Sequence, residues 1–228
     1  MDINDINKEY ESFRIDNIED RYLPYSKTRK LLLQYEKYVF KTGLSEEGKG
    51  LMSYKFGNGE KSILIWSQMH GNETTGTKAL LDYFKFLFTN VTDTKGVLEE
   101  LTIYAIPVLN PDGAELFTRV NNKGVDLNRD AVEFQSLELQ FLRDILIETN
   151  PKYCFNLHDQ RNIFNPKNHI LPATISFLAP SQSINREITD VRLKSMEVIV
   201  VMNKYLQTVI PNQVGRYTDE FYPTATGD

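Results

Sequence analysis

At 228 residues, with 41% hydrophobic and 11% aromatic side chains, the chain is long enough to bury a sizeable core as one domain and too apolar to be disordered throughout. A net charge of -5 and a pI near 5.4 argue against a non-specific nucleic-acid binder, which needs a basic face to neutralise phosphates. No apolar run approaches the ~18 residues of a membrane span, and the acidic, polar N-terminus lacks a secretory pattern, so the sequence reads as a cytoplasmic protein with no membrane partner.

In chain order, Ile3, Ile6, Tyr10 and Phe13 recur at helical spacing and predict one short amphipathic helix. Pro24 interrupts that pattern, and Ser26 is placed to cap a second helix carrying Leu31, Leu32, Leu33 and Tyr35; residues 1–38 thus form a helical preface. Extended pieces follow at 39–42 and 50–56. Gly57-Asn58-Gly59 then predicts a hairpin turn into a buried strand at 62–67.

Leu80, Phe84, Leu87 and Phe88 define an amphipathic helix over 77–88, and 101–109 is the next strong strand, ending in the turn sequence Asn110-Pro111-Asp112-Gly113. A polar loop runs from there to Asp130. Ser136 is placed to cap a helix bearing Leu137, Phe141, Ile145 and Leu146, and Asn150-Pro151 stops it before a strand at 153–157. The single cysteine, Cys154, lies in that apolar strand and reads as a buried thiol, with no partner for a disulfide. A further strand at 174–178 precedes a long helix from about Ser183, with Ile184, Ile188, Val191, Ile199, Met202 and Leu206 inward, until Pro211.

This order predicts an α/β fold: a mixed, largely parallel sheet flanked by helices, in a single domain over 1–228. Strand ends carry the unusual polar residues, with His70 after the first buried strand, Asn110 after the second and His158 after the third. In open α/β sheets functional groups gather at the carboxyl ends of strands. His70 and Glu73, three positions apart, place an imidazole and a carboxylate where both reach one divalent ion. Of the three histidines, His169 falls in a polar loop, which leaves His158 as the third ligand. Two histidines and a carboxylate leave a fourth position open on a tetrahedral zinc, the arrangement for activating water.

His70-Gly71-Asn72-Glu73, Asn110-Pro111-Asp112-Gly113, Asp126-Leu127-Asn128-Arg129 and Asn156-Leu157-His158, in this order, resemble the signature of the zinc carboxypeptidase family, the carboxypeptidase A-like metallopeptidases. The resemblance spans roughly 45–158 and continues weakly to the end. It implies that His70, Glu73 and His158 bind zinc, that Asn128 and Arg129 grip the free C-terminal carboxylate of a peptide substrate, and that Arg119 steadies the oxyanion. Arg161 competes with Arg119 for that role. Asp126 resembles the family's carboxylate that orients the first ligand histidine. A planar guanidinium fork suits a carboxylate, and a cation beside a metal stabilises charge that develops in the transition state.

The sequence departs from the family beyond the long helix, where the general-base glutamate is expected on a strand. Glu220 sits in a loop sequence and is not assigned that role; Tyr217 and Tyr222 are candidates for the family's substrate-capping tyrosine. The expectation is a chain lacking the family's C-terminal part, able to hold zinc and substrate while hydrolysing little. Two other functions compete with a metallocarboxypeptidase: a zinc-dependent N-acyl amino acid deacylase resembling the succinylglutamate desuccinylase and aspartoacylase group, and a catalytically silent zinc- and carboxylate-binding module. The motifs carry no information on oligomeric state.

Overall fold

The computed structural model describes residues 3–18, 20–88, 94–160, 165–166, 169–181 and 185–217. Arg161, Ser183, Ile184, Glu220 and Tyr222 lie outside the described residues. The chain divides into two compact units, Met1–Asp159 and Gln160–Asp228.

The first unit opens with helices α1 (Ile3–Phe13) and α2 (Tyr25–Leu32), and a 3-10 turn over Leu33–Tyr38. Strands β1 (Val39–Leu44), β2 (Gly50–Phe56) and β3 (Lys61–Ser67) follow, then α3 (Thr75–Leu87), α4 (Thr94–Glu100), β4 (Leu101–Ile106), α5 (Pro111–Leu116), α6 (Leu127–Asp130), α7 (Leu137–Thr149) and β5 (Tyr153–Leu157). The five strands form one mixed sheet in the order β1-β2-β4-β3-β5. β3 runs parallel to both β4 and β5, whereas β1 and β2, and β2 and β4, are antiparallel.

Helices cover both faces. Leu81, Phe84 and Leu87 of α3 pack with Tyr54, Phe56, Ile103, Ala105 and the N-terminal helices on one side. Leu139, Phe141, Leu142 and Ile145 of α7 pack with Leu64, Tyr104 and Ile106 on the other. Alternate residues of β4 therefore enter opposite cores, which is why 101–106 reads as a continuous apolar run rather than as an alternation.

Several local expectations are corrected. Gly57-Asn58-Gly59 does not close a hairpin, because β4 inserts between β2 and β3; the hairpin joins β1 to β2 instead. Its turn is held by Asp112, whose carboxylate accepts from Ser45 Oγ at 2.8 Å and from the Glu47 N–H at 3.1 Å. Ser26 does not cap α2, whose N-cap is Pro24; Ser26 donates its N–H and hydroxyl to the Glu115 carboxylate. The loop expected up to Asp130 contains α5 and α6, each capped by its own side chain, Asn110 and Asp126. Cys154 is exposed, not buried: among the described residues β5 pairs with β3 alone, and its alternate residues turn outward. Phe88 ends α3 and is likewise exposed.

The second unit holds β6 (Ile175–Phe177), α8 (Asp190–Val209) and β7 (Val214–Arg216), with β6 and β7 parallel in a two-stranded sheet. α8 starts at Asp190, where the Thr189 side chain accepts from the Arg192 N–H. Ile188 and Val191, expected inward, are exposed, while Ile199, Met202 and Leu206 are half-buried. β7 carries no strong apolar run, so the sequence pattern does not reveal it. Its neighbour Tyr217 continues the pairing by donating its N–H to the Phe177 carbonyl at 2.9 Å.

Candidate metal centre

The parallel register of β3, β4 and β5 brings three strand ends to one edge. Ser67 is level with Leu157, and Trp66 with both Ile106 and Asn156. His70 and His158 leave β3 and β5 at that level, and their rings stand 4.8 Å apart between centroids. Glu73, just before the N-terminus of α3, lies between them. Its Oε1 is 2.8 Å from His70 Nδ1 and its Oε2 is 2.8 Å from His158 Nδ1.

The ligating atoms of His70, Glu73 and His158 all fall within 4.8 Å of one another. Among the described residues this is the one group of His, Cys, Asp and Glu side chains so arranged. His169, in the second unit, is not part of it.

Asp126 reads His70 from its other side. Its Oδ1 lies 3.2 Å from His70 Nε2 and also accepts the Asn128 N–H at 3.0 Å. With Asp126 as acceptor, Nε2 carries the proton and the Nδ1 lone pair is aimed at the carboxylate of Glu73. A lone pair facing a carboxylate oxygen requires a cation, either a proton or a metal. The donor set, two imidazole nitrogens and a carboxylate oxygen, fits zinc.

The surrounding charges suit that role. Burial pushes the Glu73 carboxyl up, but hydrogen bonds from His158 and His70 outweigh it and hold the group at about 2. Burial also raises Asp126, and the Arg119 and His70 charges more than reverse it. Arg119 donates from Nε to Asp126 Oδ2 at 3.0 Å, and its NH1 lies 3.3 Å from His70 Nδ1 and 3.6 Å from Glu73 Oε1. The guanidinium thus sits beside the atoms a metal would use, with its side chain half exposed (47%).

Asn128 and Arg129 follow Asp126 on α6, a helix of four residues. Asp130, at its end, accepts from the Gln135 N–H, the Ser136 N–H and Ser136 Oγ at 2.9, 2.8 and 2.5 Å, which pins the turn between α6 and α7. Arg129 is exposed on this pinned turn.

Asp159 is the contributor that sequence reasoning missed. Its N–H donates to Glu73 Oε2 at 3.2 Å, and its side chain accepts the Thr75 N–H at 3.0 Å. Thr74, the N-cap of α3, makes no side-chain cap bond and donates instead to the Arg21 carbonyl. Asp159 therefore supplies from the end of β5 an acceptor for the first turn of α3. The one sequence signal was its position directly after His158.

This constellation, on an α/β sheet, is a candidate metal centre. The family model described as zinc carboxypeptidase matches residues 26–141, and the chain belongs to that family. "Carboxypeptidase 2" of Trichophyton tonsurans is 26% identical over 166 residues, which cover 67% of this chain and 30% of that protein. "Carboxypeptidase E" of Caenorhabditis elegans is 32% identical over 127 residues, 45% of this chain and 27% of that one.

Among solved structures, a metallo-carboxypeptidase from Burkholderia cenocepacia is similar at a TM-score of 0.67 and 18% identity, over 90% of this chain and 56% of that chain. Carboxypeptidase A from Helicoverpa armigera is similar at 0.69 and 16% identity, over 99% and 66%. At those identities the likeness is one of fold. The chain spans about 30% of the length of the Trichophyton relative. Among the described residues no helix is long and apolar enough to cross a membrane.

Proposed function

We propose that this chain is the metal- and carboxylate-binding part of a zinc metallocarboxypeptidase, which hydrolyses the C-terminal amide bond of peptides. The observation that carries the proposal is Glu73, whose two oxygens meet the Nδ1 atoms of His70 and His158 at 2.8 Å each. Those three side chains are the proposed zinc ligands. Zinc bound there would polarise a substrate carbonyl and lower the pKa of water toward ~7.

The chain's own groups do the rest. Asp126 fixes the His70 tautomer through Nε2, so that Nδ1 is free to ligate. Asn128 and Arg129, on the turn pinned by Asp130, bind the free carboxylate of the peptide and so select its C-terminal end. Arg119, tied to Asp126 beside the ligands, offers a preorganised cation to the oxygen on which negative charge develops.

Each described carboxylate beside the ligands is already engaged by the fold, Glu73 between the histidines, Asp126 on His70 and Arg119, and Asp159 on α3. None is assigned as general base. Where a general base does assist, such help is worth roughly 100- to 10,000-fold.

A substrate panel tests the function. Blocked dipeptides with a free C-terminal carboxylate should bind to the zinc-loaded chain, and any slow hydrolysis should release the C-terminal residue; their C-terminal amides should do neither. Cleavage of N-acyl amino acids alone would point to the deacylase instead. Stoichiometric zinc without hydrolysis of any free-carboxylate peptide by the longest form of the protein would point to a silent binding module.

A further inference from the structure

The backbone on either side of His70 is gripped by two buried side-chain amides. Gln68 and Asn110 are both fully inaccessible to solvent. Gln68 Nε2 donates to the Gly71 carbonyl at 2.8 Å, and Asn110 Nδ2 donates to the Met69 carbonyl at 3.3 Å. The residues on either side of His70 thus each end on an amide, and the Asn110 N–H joins the two by donating to the Gln68 carbonyl at 3.0 Å.

Each amide is itself anchored. Gln68 Oε1 accepts from Thr77 Oγ1 of α3 at 2.9 Å, and Asn110 Oδ1 accepts from the Gly113 N–H at 2.8 Å, capping α5. Asn110 Nδ2 also lies 3.5 Å from the Arg119 carbonyl. An amide suits both places, since it donates from its nitrogen and accepts at a separate oxygen without carrying a charge; a buried carboxylate would bring a charge and lack the donor. Gln68 moreover adopts a left-handed backbone with φ of 51°, which non-glycine residues sustain only where their surroundings hold them there.

We propose that Gln68 and Asn110 are positioning residues that set the direction of the His70 imidazole and couple it to Arg119. The proposal rests on His70 being a metal ligand, and it adds what aims that ligand. Gln68 directly follows β3 and Asn110 lies beyond β4, where the Leu109 and Asn110 N–H groups donate to the Ser67 and Gln68 carbonyls, so the parallel register of those strands is carried on to the residues that aim the side chain.

The test uses the 228-residue chain with Gln68→Met, which keeps length and removes the donor, and Asn110→Ser, which keeps a capping oxygen and loses the reach to Met69. Zinc affinity is measured by chelator competition, and coordination geometry by the visible bands of the cobalt-loaded protein. Each variant should bind zinc about 10- to 100-fold more weakly and shift the cobalt bands. A residue important only for folding would lower the unfolding midpoint while leaving both readouts of the folded protein as in the unmutated chain, and that result would overturn the proposal. Should Asn110→Ser not fold, the near-isosteric Asn110→Asp replaces it, with Gln68→Met as an independent arm. Failure of the unmutated chain to bind zinc or cobalt would sink the metal site itself, and the positioning role with it. Normal binding by both chain and variants would sink the positioning role alone.

Discussion

His158 Nδ1 lies 2.8 Å from Glu73 Oε2, although 85 positions separate the two residues in the chain. The contact exists because β5 joins the sheet beside β3 and ends level with it, at the point where the chain turns through His70 toward α3. Everything proposed for the site depends on that closure between a strand end and a helix start.

Arg119 and Arg129 should separate by readout. Arg119 shares His70 and Glu73 with the proposed metal without ligating it. Arg119→Gln is expected to leave zinc affinity unchanged or slightly raised, because a competing cation is gone, while residual turnover falls about 100-fold or more. Arg129→Ala should leave zinc untouched and weaken binding of a free-carboxylate dipeptide by about tenfold or more, with little rescue by Lys, which lacks the planar fork. Calorimetry with zinc, then with the dipeptide and its amide, together with the rate of release of the C-terminal residue, distinguishes these outcomes. Loss of zinc in either variant would contradict the assigned roles.

Acid should destabilise the metal-free chain through Glu73. Its carboxyl titrates at about 2 when folded, below the ~4.3 of an unperturbed glutamate, so between these values the unfolded state binds more protons. The resulting stability is fully present above ~4.3 and is lost as pH falls through about 2. Asp126, also depressed, acts in the same direction. Denaturant unfolding across that window should show a shallower pH slope for Glu73→Gln than for the unmutated chain; equal slopes would contradict the contacts with the two histidines.

Gly71 tolerates no side chain. A Cβ there would lie 1.9 Å from the Gly113 carbonyl carbon and 2.3 Å from the Ala114 nitrogen, backbone atoms of α5 that cannot swing aside. Gly71→Ala should cost about 3 kcal/mol. Gly124→Ala, where φ is 74° but nothing lies within 4 Å, should cost roughly 1–2 kcal/mol from backbone strain alone. Urea midpoints of the two variants give the comparison, and equal costs would mean that α5 does not press on the ligand turn as described.

Much of the site was legible in the sequence because strand ends are marked by abrupt changes from apolar to polar, and His70, Asn110 and His158 each follow such a change. The parallel placement of these ends is what turns that pattern into proximity. Less legible were features set by pairing rather than by local preference. Gly57-Asn58-Gly59 has hairpin chemistry, yet β4, apolar and buried along almost its whole length, takes the place beside β2. Cys154 sits in an apolar run, and its exposure goes with the position of β5 beside one neighbour among the described residues. Asp159 and Gln68 act through backbone groups of other segments, contacts that no spacing rule reveals.

Zinc content after dialysis, in the unmutated chain and in His158→Ala, tests the metal centre most directly. The unmutated chain should retain about one zinc per molecule, and the variant, left with two ligands, should retain little under the same conditions. Undiminished zinc in a folded His158→Ala chain would contradict a centre built from His70, Glu73 and His158.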